Sequence, residues 1–149
     1  MSYTLQAIVG LQQTVRDASS EHLAAIALTD MLKMVPLTAQ ARKHHDIPFL
    51  PLTDEAEEVL PESIALLCRS LSSYSFIAYL EADFFGGAGQ QAYALFKDGV
   101  ALGPPVIAEG AINQALKYLG VLPGRHHDEF AAAGLGRFRD TDDWTSEAK

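Results

Sequence analysis

The chain has 149 residues, of which 48% are hydrophobic and 20% charged, and its formal net charge is -8. This length and composition predict one folded domain over residues 1–149 with a core of its own, and they exclude a disordered chain. The acidity is even along the chain, with 5 Lys/Arg against 9 Asp/Glu in residues 1–75 and 6 against 10 in residues 76–149, so no basic half exists to grip nucleic acid or anionic lipid, whereas a basic protein partner would be attracted.

In chain order, the imperfect alternation of residues 3–9 predicts a first strand, and residues 11–19 are polar without a clear period. The apolar runs 24–28 and 31–37, split by Thr29-Asp30, predict a hairpin with Pro36 at an edge or a strand end. Thr38 is placed to cap a short helix over 39–45. Residues 46–60 carry Pro48, Pro51, Asp54, Glu55, Glu57 and Glu58, and read as a solvated acidic loop or short helix rather than a domain boundary. Ile64, Leu67, Cys68 and Leu71 fall on one face of a helix over 62–73, with Pro61 suited to its first position.

Residues 76–80 and 91–97 predict antiparallel strands, and Asp98-Gly99 predicts a two-residue hairpin that sets Lys97 opposite Val100 and Phe96 opposite Ala101. Residues 74–103 are therefore expected to form a three-stranded meander. A second amphipathic helix is expected over 109–119, stopped by Gly120, and Asp128 is placed to cap a short helix ending near Gly134. The tail from Arg139 is polar apart from Trp144. Strands and helices do not alternate strictly. The fold class is thus α+β: an antiparallel sheet of about five or six strands with helices 62–73 and 109–119 packed on one face.

The segment Tyr79-Leu-Glu-Ala-Asp-Phe-Phe-Gly-Gly-Ala-Gly-Gln-Gln91 concentrates two carboxylates, three aromatics and three glycines between two strands. Glu81 and Asp83 are two apart on a strand and project from one face, an arrangement suited to acid–base work or to a hard cation. Phe84 or Phe85 is expected to anchor the loop into the core, while its glycines supply positive φ for a bulged reversal. The loop lacks Gly-Lys-Ser/Thr and the G-x-G-x-x-G spacing, so no nucleotide cofactor is expected. The histidines, His22, His44-His45 and His126-His127, are not spaced for a zinc site. Arg137 is a candidate ligand-binding residue, expected to lie back onto the acidic body near Glu81 and Asp83. Cys68, the lone cysteine, reads as a buried apolar residue. The first ten residues have no basic region of the kind that opens a signal peptide, and no apolar run approaches the ~20 residues of a membrane span, which together suggest a cytoplasmic protein.

The 79–91 segment, with Gly103-Pro104, Ala111-Ile-Asn113, Leu119-Gly120, Asp128-Glu-Phe130 and Gly134-Leu-Gly136, resembles a family of small bacterial proteins without an assigned activity; the second half of the chain carries the likeness. Domains of this size and acidity are similar in kind to immunity proteins, which bind and block a partner toxin, and that likeness implies no residue roles. The expected function is non-catalytic protein binding, with a basic protein such as a toxin as partner, no cofactor, and a binding surface formed by Glu81, Asp83, Phe84, Phe85, Gly86, Gly87, Gln90 and Arg137. The alternative is a small-molecule- or metal-dependent enzyme built on Glu81 and Asp83 beside loop 84–91.

Overall fold

The computed structural model describes residues 2–11, 23–73, 75–85 and 88–148. Among them one sheet has seven strands: β1 (Ser2–Leu11), β2 (Ile26–Ala27), β3 (Leu32–Pro36), β4 (Phe76–Phe85), β5 (Ala88–Lys97), β6 (Val100–Ala101) and β7 (Val106–Ile107). Their order is β2-β3-β1-β4-β5-β6, with β7 also on the outer side of β5, and every pairing between them is antiparallel. The fold is α+β, as the patterning predicts. Pro36 closes β3, a strand end where its missing N–H is tolerated.

The centre of the sheet is the long seam between β1 and β4, in register from Ser2 opposite Phe85 to Gly10 opposite Ile77. Alternation along these strands sends side chains to two cores. Leu5, Ala7, Val9, Ala78, Leu80 and Ala82 face one side, where α3 (Ala111–Tyr118) packs through Ile112, Ala115 and Leu116. Ile8, Ile77 and Tyr79 face the other, where α2 (Glu62–Leu71) packs through Ile64, Ala65 and Cys68. The two main helices thus cover opposite faces rather than sharing one. Their amphipathic stripes show that each buries one side; a stripe carries no information about which sheet face it meets.

Local signals account for most element boundaries. Thr38 caps α1 (Ala39–His45), its hydroxyl accepting from Ala41 N at 3.1 Å. Asp128 caps α4 (Glu129–Ala132), accepting from Ala131 N at 2.9 Å. Pro61 sits one residue before α2, at its N-cap. Asp98 (φ 52°) and Gly99 (φ 81°) turn β5 into β6, with Lys97 opposite Val100 and Phe96 opposite Ala101. Positive φ at both turn residues is the twist a two-residue hairpin needs.

Residues 135–137 form a 3-10 turn, and the tail then folds as α5 (Thr141–Ala148), which the polar sequence does not announce. Trp144 is its anchor, 3% exposed and edge-on to Phe138 at 4.8 Å. Just before it, Arg139 O accepts from Thr4 N at 2.8 Å, and Thr141 Oγ1 accepts from Gln6 N at 3.1 Å. The tail thereby satisfies β1 backbone groups that lie beyond the reach of β3, which pairs only with Ala7–Leu11. No helix among the described residues is long and apolar enough to cross a membrane.

Candidate functional site

The two-residue spacing does put Glu81 and Asp83 on one face of β4, but the structure gives them different roles. Glu81 is fully buried. Above it lies a strap, residues 47–60, that crosses the α2 side of the sheet. Glu81 Oε1 accepts from Thr53 N at 2.9 Å and from Thr53 Oγ1 at 2.9 Å, and Leu52 N donates to both carboxylate oxygens at 3.1 Å. Tyr79 Oη donates to Oε2 at 2.6 Å.

Gln6, directly opposite Glu81 in the register, extends this network. Its Nε2 donates to Tyr79 Oη and to Pro48 O, each at 2.9 Å, and its Oε1 accepts from Leu50 N at 3.4 Å. Burial is the first cause, and the neighbouring Glu81 carboxylate the second, of a Tyr79 phenol whose pKa lies well above the ordinary range. The sheet therefore grips the strap through Gln6 and Glu81. The grip holds a backbone with Leu50 at φ 44° and Ala56 at φ 54°, a region unfavourable for residues with a Cβ.

Beyond Glu81 the same face turns outward. Asp83 is partly exposed, and Phe85 is 80% exposed, the end of β4 having passed the edge of the core. With Thr53, Asp54, Gly89 and Gln90 they line an open cleft of about 510 Å3. One wall comes from the end of the β4–β5 hairpin and the other from the strap. Asp54 and Thr53 are thus members of the site although their segment carries only the pattern of an acidic loop. They lie about 30 residues from Asp83 along the chain, and no local pattern joins the two.

The hairpin is more regular than its glycines suggest. β4 runs on to Phe85 and β5 begins at Ala88, with Phe85 opposite Ala88, so strand pairing replaces most of the expected loop. Gly86 and Gly87 lie outside the described residues. Gly89 is required by space, since a Cβ there would collide with the Asp83 carbonyl and lie 2.6 Å from Phe84 Cα. The two phenylalanines divide their roles. Phe84 turns to the α3 side and packs against the core beside Tyr3, 6.3 Å between ring centroids, while Phe85 stays in solvent.

Gln90 is exposed at the cleft, whereas Gln91 on the opposite face accepts from Ile112 N at 2.9 Å. It thereby satisfies a first-turn amide of α3, whose N-cap Gly110 has no side chain to do so. Arg137 is not brought to Glu81 and Asp83. It lies on the α3 side, where Nη2 donates to Leu28 O at 2.9 Å, Nε donates to Gly134 O at 3.1 Å, and the guanidinium covers the Trp144 ring at 5.2 Å. Its donors hold the tail to the body.

His44 and His45 end α1, His126 and His127 lie in the loop before α4, and His22 is outside the described residues. Among the described residues no three His, Cys, Asp or Glu side chains gather closely enough to hold a metal ion. Cys68 is buried in the α2-side core, and burial raises its thiol well above the ordinary value. No family model, curated protein or solved structure matches the chain.

Proposed function

We propose that this protein is a non-catalytic protein-binding domain, immunity-like in kind, and that it captures a basic protein such as a toxin in a bacterial cytoplasm. The end of the β4–β5 hairpin is the contact surface in this reading. The observation that carries it is Phe85, an aromatic left 80% exposed in a cleft with the carboxylates of Asp54 and Asp83. An exposed ring with acidic neighbours offers apolar contact and charge together, and aromatic residues dominate the energetics of protein interfaces. The net charge of -8 would hasten encounter with a cationic partner.

An enzyme built on Glu81 and Asp83 finds less support. Glu81 is sealed under the strap, and its oxygens already receive four donors: two amides and two hydroxyls. The test pairs the purified chain with the product of its neighbouring reading frame in titration calorimetry. Asp83→Asn and Phe85→Ala are expected to weaken the complex at least tenfold, about 1.4 kcal/mol, with unchanged melting. A complex equally tight with both variants would exclude the hairpin end as the contact.

A further inference from the structure

The strap that grips Glu81 continues past Asp54 along the α2 side, and its far end borders a second, apolar cleft of about 230 Å3. Leu60, Ala65, Ala94, Phe96, Ala101 and Pro104 form its walls, with Glu58 and Arg69 at its margins. The volume is below the ~300–1,000 Å3 of sites that enclose a small-molecule ligand, and it fits a side chain better than a whole ligand. Its surroundings are unusually apolar for a surface. Val59, a lining residue, is 74% exposed, and Pro104 and Pro105 also line the cleft.

Charge around the cleft is one-sided. Glu58 lines the cleft, and Glu55, Glu57 and Glu62 are exposed close to Glu58 in the chain, on the strap and the start of α2, while Arg69 is the cation on the other margin. A partner segment lying here gains if its basic residues face the strap. The strap is also held before any partner arrives: Thr53 and Leu52 are bound to Glu81, and Glu57 N donates to Pro51 O at 3.0 Å. A surface fixed in advance loses less conformational entropy on association.

We propose that this apolar cleft receives one apolar side chain from a cationic segment of a protein partner, whose flanking Lys or Arg residues lie against the acidic strap. The inference rests on the protein-binding reading above and adds a second contact, at the end of the strap remote from Phe85. The probe is a synthetic 12-residue peptide of Lys and Leu, compared with a Lys/Ser peptide of equal charge and a Glu/Leu peptide of equal apolarity. Binding is read by fluorescence anisotropy and located by amide shifts in two-dimensional NMR.

The Lys/Leu peptide is expected to bind at least tenfold more tightly than either control and to shift the amides of residues 58–60, 94–96 and 101–103. Ala101→Glu, at an exposed position, and the pair Glu57→Lys with Glu58→Lys should each lower its affinity at least tenfold, while Leu122→Ala, at an exposed position outside both clefts, should leave it within twofold. Equal binding of the Lys/Ser peptide would reduce the surface to charge alone and overturn the cleft. Loss of binding in Phe85→Ala with none in Ala101→Glu would also overturn the cleft while leaving the hairpin-end contact standing. Loss in Ala101→Glu alone supports the cleft even if the hairpin end proves silent.

Discussion

Glu81 shows how little a residue type says about its use. A carboxylate on a strand beside another carboxylate suggests chemistry, yet this one is fully buried and receives four donors. Every one of its contacts needs an acceptor. Glu81→Gln keeps the shape but presents an N–H to a backbone amide or to the Tyr79 hydroxyl, leaving a buried donor unsatisfied. A destabilisation of about 1–3 kcal/mol is expected, read as a lower urea midpoint at unchanged slope. No change in the midpoint would mean that the strap is not held through this carboxylate.

Tyr79 gives a pH test of the same network. Its phenol is held neutral by burial and then by Glu81, so its folded pKa lies above that of the unfolded chain, about 10. At higher pH the folded state binds more protons than the unfolded one, so stability falls as pH rises. The contribution is fully present below about pH 10 and is lost as pH climbs from there towards the folded value. Tyr79→Phe is expected to be less stable at pH 8 and to lose stability less steeply above pH 10. Tyr3, also buried and also raised, leaves a residual slope in that variant.

At the scale of elements, the β4–β5 hairpin depends on one position with no room for a side chain. Gly89→Ala would push a Cβ into the Asp83 carbonyl and the Phe84 backbone, atoms that cannot rotate away. The expected cost is about 1–3 kcal/mol, with amide exchange rising first at Asp83, Phe84 and Gln90. Unchanged exchange there would show that the hairpin end has slack.

What the sequence disclosed about elements follows the range of the interaction. The Thr38 and Asp128 caps and the Asp98-Gly99 turn act within four residues, and each was legible. The outer half of β4 was hidden because Glu81 and Asp83 suggest a wet strand end, whereas the strap that covers Glu81 arrives from residues 52 and 53. Helix α5 was missed because Trp144 is its single large apolar residue and carries no period by itself. Arg137 offered charge without direction, and its carbonyl partner Leu28 lies 109 positions away. The candidate cleft was half legible for the same reason: Asp83, Phe85 and Gln90 stood out in one segment, while Thr53 and Asp54 reach it only through the fold.

For the molecule as a whole, covering both sheet faces allows a small domain two cores instead of one, and it leaves exposed apolar residues at the sheet margins as well as at Leu66 on α2 and Tyr118 on α3. Phe85, Val59 and Val100 stand at such margins. Among the described residues the strands on the outer border of β5 are the two-residue β6 and β7, with Pro104 and Pro105 between them. Short strands and prolines blunt an edge against unwanted pairing.

The β1–β4 seam has a kinetic consequence. β4, β5 and β6 follow one another through short turns, whereas β1 must find β4 across some 70 intervening residues, from Gly10 to Ile77 at the nearest. Closing so long a loop is entropically costly before any contact rewards it, so the meander is expected to form first and the seam later. In stopped-flow refolding, Leu95→Ala should chiefly slow folding, and Val9→Ala should chiefly speed unfolding. Equal partition at the two positions would mean that seam and meander form together. If the order holds, β4 waits with one hydrogen-bonding border open, and the interval before β1 arrives is when this chain is most exposed to pairing with a neighbour and aggregating.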